Sequence, residues 1–202
     1  MGNPPTTRPS LLMRLRDRGE VHAWKEFVDA YAPLVYGYLR RRGLQDADAA
    51  DLMQEVLRAV SIASARFEYD PNQGSFRGWL FTIVRNKLRN FQASAKSLAL
   101  GTGDTGVKQL LEQQPSSGND DESIWIQEYE RHLFGQAAER VRRTVVETTW
   151  QAFWMTAVEG RKATDVSRIL NLSVAAVYLA RSRVLARMRH EVQDLQGDEA
   201  PF

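Results

Sequence analysis

Three observations predict an all-α protein made of two small helical domains joined by a flexible linker. Apolar residues recur at helical spacing along most of the chain, as in Phe27, Tyr31, Leu34, Tyr38. The stretch 95–122 breaks that pattern with Gly, Ser, Gln, Asp and Pro115-Ser116-Ser117-Gly118. The length, 202 residues, exceeds one typical domain and suits two small ones. Hydrophobic content of 43% with 26% charged residues predicts a packed chain rather than a disordered one. With no cysteine, disulfides and thiolate chemistry are excluded. No apolar run reaches the length of a membrane span and no secretion signal is visible, so a cytoplasmic location is expected.

In chain order, residues 1–9 hold three prolines and read as a loose tail. Ser10 is placed to cap a short helix carrying Leu11, Leu12 and Leu15. A longer helix from about Val21 to Arg42 carries a broad stripe from Trp24 to Leu39, read as core, and Gly43 stops it. The next helix, near Asp46 to Arg66, buries Leu52, Val56, Ala59 and Ala63. It carries four acids and no base between residues 46 and 55, with Asp48, Asp51 and Glu55 on one face. Two readings stay open for that strip: compensation of the helix dipole, or docking of a basic partner.

Phe67 to Gly74 is a turn, and Ser75 can cap a helix from Phe76 to about Ser94. Its apolar side is Phe76, Trp79, Leu80, Ile83, Val84, Leu88 and Phe91; its other side carries Arg77, Arg85, Asn86, Arg89 and Asn90. Four basic residues and no acid lie between 76 and 94, a pattern suited to backbone phosphates and base edges. Phe81, among the cations, is placed either to stack on an unpaired base or to lie half-buried against a neighbouring helix.

After the linker, a helix with Ile126, Tyr129, Leu133, Ala137 and Val141 is expected, then one capped by Thr148 or Thr149 that buries Trp150, Phe153, Trp154, Ala157 and Val158 up to Gly160. Two short helices then meet at Asn171-Leu172-Ser173. The first presents Val166, Ile169 and Leu170; the second buries Val177, Val184 and Met188 and exposes Tyr178, Ser182, Arg183 and Arg187. Residues 163–190 contain five arginines and one acid, so this reads as a helix-turn-helix with a basic outer face. Residues 196–202 read as a frayed end.

These pieces in this order resemble a bacterial sigma factor of the extracytoplasmic-function (group IV) type. DADAADLMQEVL (46–57) is similar to the core-binding helix of region 2, and GSFRGWLFTIVRNKLRNF (74–91) to its −10 reading helix. The resemblance implies region 2 over residues 10–94, a linker over 95–122 and region 4 over 123–195. It implies that Asp48, Asp51, Leu52, Gln54 and Glu55 meet the clamp helices of core RNA polymerase, with its flap as a further contact. It implies that Asn72, Gln73, Ser75, Arg77, Phe81, Arg85, Asn86, Arg89 and Asn90 hold melted −10 DNA. Ser173, Ala175, Ala176, Tyr178, Leu179, Ser182, Arg183 and Arg187 would face double-stranded −35 DNA. Control by an anti-sigma protein is common in such a family. The sequence departs from the usual pattern at Arg181, near a position where relatives bury leucine, and at Tyr178 and Leu179, which offer fewer polar groups, so that shape and phosphate contacts would carry more of the affinity there.

No cofactor, metal-ligand spacing or Gly-rich phosphate loop is visible, and His22, His132 and His190 are scattered, so an enzymatic role is not expected. The alternative function is a helix-turn-helix regulator that binds an operator without polymerase. It leaves the acidic helix and the first basic helix without a task. A helical adaptor with no DNA role leaves both basic faces without one.

Overall fold

The computed structural model describes residues 11, 14–17, 20–65, 75–102 and 118–196. These residues are almost entirely helical, as expected for an all-α chain. They divide into two compact units, with the boundary inside one long helix, between Glu130 and Arg131.

The first unit is built on α1 (Val21–Arg41), α2 (Asp46–Ser64) and α3 (Phe76–Thr102). Phe27, Tyr31, Leu34, Val35, Tyr38 and Leu39 of α1 are all buried, so the aromatic stripe is core. Phe27 stacks on Tyr31 with ring centroids 5.0 Å apart, and the Phe76 ring meets both of them edge-on. Pro33 lies inside α1 on its exposed side, where water can serve the carbonyl that the proline leaves without a donor.

The end of α1 is a paired cap. Gly43 takes φ +85°, its amide reaches the Arg40 carbonyl, and the Leu44 amide reaches the Leu39 carbonyl. Leu44 is buried beneath that turn. The chain then enters α2, where Asp46 and Asp48 occupy the positive end of the helix dipole. Leu52, Val56 and Val60 of α2 are buried, and α2 packs against both α1 and α3. Ser75 caps α3 by accepting the Gly78 amide at 3.1 Å.

Helix α3 continues to Thr102, and α4 (Gly118–Arg142) starts at Gly118, so both helices reach into the stretch read as linker. The second unit holds the remainder of α4, then α5 (Glu147–Phe153), a π-helical turn (Trp154–Val158), α6 (Ala163–Leu170) and α7 (Val174–Gln196). Its core gathers Ala152, Val166, Val177 and Ala180, with Met155, Leu170 and Leu172 packed around them.

Asn171 joins α6 to α7 in the left-handed region at φ 51°, ψ 48°, a conformation asparagine tolerates. The Leu172 amide bonds to the Ser167 carbonyl, and Ser173 caps α7 by accepting the Ala176 amide at 3.1 Å. The two helices differ in direction by 102°, within the range of a helix-turn-helix.

Several expectations for this unit are corrected. Helix α5 begins at Glu147 after Val146, with no side-chain cap from Thr148 or Thr149. The π turn widens the spiral, so Thr156 points inward and bonds to the Ala152 carbonyl at 2.7 Å. Ala157 and Val158 are therefore exposed rather than buried. Ile169 is also exposed, because only Val166 of α6 reaches the core fully.

Candidate nucleic-acid interface

Three surfaces carry the residues singled out from the sequence. The first is the acidic strip on α2. Asp51, Gln54 and Glu55 are exposed and Asp48 is partly so. Leu52, beside Asp48 and Glu55 on the flank of the helix turned to the core, is only 2% exposed; it holds α2 in place and leaves the contact set expected from the sequence. Glu55 meets Lys87 of α3 at 3.1 Å, an ion pair between half-open side chains that contributes little to stability. Asp46 is engaged by Tyr36 and lies 3.5 Å from Arg40, so its work is local, at the start of the helix.

The second surface is the polar side of α3. Asn86, Arg89 and Asn90 are exposed and Arg85 is partly buried. Arg77 and Phe81 are not open to a ligand. Phe81 is 6% exposed and stacks on Trp125 at 5.4 Å with 27° between ring planes. Tyr38 closes the group, edge-on to both rings. Arg77 is buried with its guanidinium 4.2 Å above the Tyr129 ring. The half-buried alternative for Phe81 is thus nearer the structure, and burial is more complete than it supposed. Asn72 and Gln73 lie outside the described residues, and Ser75 spends its hydroxyl on the α3 cap.

The cover over Arg77 and Phe81 is the first part of α4, within the first unit. Trp125 is fully buried there. Arg42 and Asp121 pair at 2.8 Å with side chains only 5% and 12% exposed. Arg41 lies 3.1 Å from Glu128 and also donates to Gln127 at 3.3 Å. The Glu128 carboxylate sits against Gly37 of α1, where any Cβ would collide with it. Burial, with the Asp121 carboxylate second, raises the Tyr38 phenol far above its ordinary value, so the group stays neutral.

Sequence reading missed Trp125. Trp125, Tyr129, Leu133, Ala137 and Val141 follow strict i, i+4 spacing and are all buried, whereas Ile126 is only partly covered. The spacing held that signal; Tyr129, Leu133, Ala137 and Val141 are where the sequence places them, and only the first member of the stripe, Ile126 in place of Trp125, is off by one residue.

The third surface is the outer side of α7. Tyr178 and Leu179 are 57% and 55% exposed, and Ser173, Ala175, Ser182 and Arg183 are exposed beside them. Ala176 is half-buried. Arg187 is exposed but tethered, donating to the Thr144 carbonyl at 3.0 Å and to its hydroxyl at 3.2 Å. Arg181 also faces solvent, while Ala180 takes the buried position beside it. On the same unit a groove of about 570 Å³ is lined by Trp150, Trp154, Met155, Ile169 and Leu170 together with Arg142, Glu147, Gln151 and Glu159.

Among the described residues, no group of three or more His, Asp or Glu could hold a metal ion, and no single helix is long and apolar enough to cross a membrane.

Residues 27–97 match the family Sigma-70 region 2. That span contains the acidic strip of α2 and the polar side of α3. The chain is 32% identical over 78 residues to the "ECF RNA polymerase sigma factor RpoE" of Cereibacter sphaeroides, a match covering 39% of this chain and 42% of that protein. The match thus spans less than half the length of this curated relative. Two solved structures align at low similarity. The "Structure of CnrH in complex with the cytosolic domain of CnrY" gives a TM-score of 0.35 at 18% identity, covering 90% of this chain and 94% of that one. The "RsbN-BldN complex" gives 0.36 at 17%, covering 89% and 97%.

Proposed function

We propose, from the premise that residues 27–97 are a sigma-70 region 2 domain, that the chain acts as an extracytoplasmic-function sigma factor. It binds core RNA polymerase and directs it to promoters by holding −10 and −35 DNA. The observation that carries this reading is the coincidence of the family match with an exposed acidic ridge and a basic helix on one unit.

Asp48, Asp51, Gln54 and Glu55 form the ridge offered to the polymerase clamp helices. Its residues are held on a rigid helix whose other side is core, so docking requires no reordering of the backbone. Arg85, Asn86, Arg89 and Asn90 meet melted −10 DNA, the arginines at phosphates and the amides at base edges. Asn72 and Gln73 are retained as candidates for base capture. Ser173, Ala175, Tyr178, Leu179, Ser182 and Arg183 face −35 DNA across the open side of α7, with Arg187 beside a phosphate. The groove at Trp150 and Trp154, lined by rings and by charged side chains alike, is the seat for the polymerase flap.

No bond is made or broken in this scheme. Each DNA surface binds modestly and loses affinity as salt rises. Attachment of both to one polymerase raises the effective concentration of the second contact once the first has formed.

The test is co-elution with purified core polymerase. The wild-type chain migrates with the core, and the Asp51→Lys/Glu55→Lys variant elutes alone with an unchanged circular-dichroism spectrum. A chain that never joins core polymerase yet binds duplex DNA would instead be the operator-binding regulator.

A further inference from the structure

The surface most suited to a nucleic acid on the first unit is already filled, and what fills it has the chemistry of a nucleic acid. Between residues 120 and 130 there are five acids and no base. Asp121 and Glu128 place carboxylates on Arg42 and Arg41, as phosphates would sit. The Trp125 ring lies flat on Phe81 and the Tyr129 ring lies under the Arg77 guanidinium, as unstacked bases would. Gly37 leaves the space into which Glu128 fits, although glycine inside a helix weakens it. The contact is thus shaped on both sides, by charge, by ring stacking and by a missing side chain.

We propose that residues 121–129 are a displaceable ligand of the first unit. They occupy the surface that melted −10 DNA takes, so that this helix segment and the DNA strand exclude each other. The proposal rests on the −10 reading given above. Phe81 and Arg77 then join Arg85 and Arg89 at the strand only after Trp125 has left. The free chain binds single strands poorly because the competent form is a small fraction of the population, and apparent affinity falls by that fraction.

The chain has no cysteine, which allows a clean lock. Arg41 and Gln127 are in side-chain contact and largely at the surface. The Arg41→Cys/Gln127→Cys variant is joined by a short bis-maleimide and compared with its unjoined form. Each is assembled with core polymerase and titrated with a fluorescein-labelled pool of single-stranded oligonucleotides. The joined form is expected to bind strands at least ~10-fold more weakly, with association to core unchanged. Gly37→Ala, which crowds Glu128 while favouring the α1 helix, is expected to bind strands more tightly than wild type without core. Trp125→Ala shifts in the same direction, and Gly37→Ala keeps the test independent of any folding defect that truncation causes. Equal strand affinity of joined and unjoined forms overturns the proposal while leaving the sigma reading standing. Failure of the unjoined, core-bound chain to hold any strand overturns the −10 reading and the proposal together.

Discussion

The two units carry similar basic surfaces in opposite states. On the first, Arg42 and Arg77 are buried and Phe81 is stacked under Trp125. On the second, Arg183, Tyr178 and Leu179 stand open to solvent. A positive helix face says which ligands a surface suits, not whether the surface is vacant. On the first unit the acids that answer Arg41 and Arg42 and the ring that answers Arg77 lie within the same unit. On α7 no acid lies between residues 174 and 190 to do so.

That contrast can be broken most forcefully at its buried pair. Arg42→Ala leaves Asp121 as a buried charge with its partner gone, a loss of about 3–5 kcal/mol. Hydrogen exchange should then show lost protection at residues 120–130 while the amides of α7 are unchanged. Equal protection there would mean that the pair does not hold α4 to the first unit. Trp125→Ala is expected to cost about 3–5 kcal/mol by removing a fully buried ring, read as an earlier unfolding transition of the first unit.

A smaller effect sharpens the other side of the comparison. Arg183→Ala should change stability by no more than about 0.5 kcal/mol, because the side chain is exposed. It should weaken duplex binding and lower the slope of log K against log salt by about 1. An unchanged slope would remove Arg183 from the phosphate contacts.

The smallest effect is a pH dependence of the first unit. Tyr38 in the folded unit keeps its proton above the ordinary phenol value of 10.0, whereas in the unfolded chain it releases it there. The unfolded state then binds fewer protons, so stability falls as pH rises through about 10. Tyr38→Phe should flatten that alkaline decline, as followed by thermal melts between neutral and alkaline pH.

The fold class was legible because most helices bury a single stripe. Val177, Val184 and Met188 identify α7, and Asn171 with Ser173 identifies the turn before it, all from local chemistry. The buried state of Phe81 and Arg77 was not legible in α3 alone. It depends on Trp125 and Tyr129, far along the chain, and a helix buried on two sides has no single stripe. Ala157 and Val158 were misplaced because a π turn shifts the register that a 3.6-residue spacing assumes. Leu52 lies within the segment that resembles a core-binding helix, but its own periodicity with Val56 puts it inside.

The central claim is that this chain directs core polymerase to promoters. Run-off transcription on a library of genomic fragments, with core polymerase and the purified chain, tests it most directly. Discrete transcripts are expected that appear only when the chain is added and vanish with Asp51→Lys/Glu55→Lys. Transcription unchanged by the chain, alongside duplex binding that core polymerase does not alter, would contradict it.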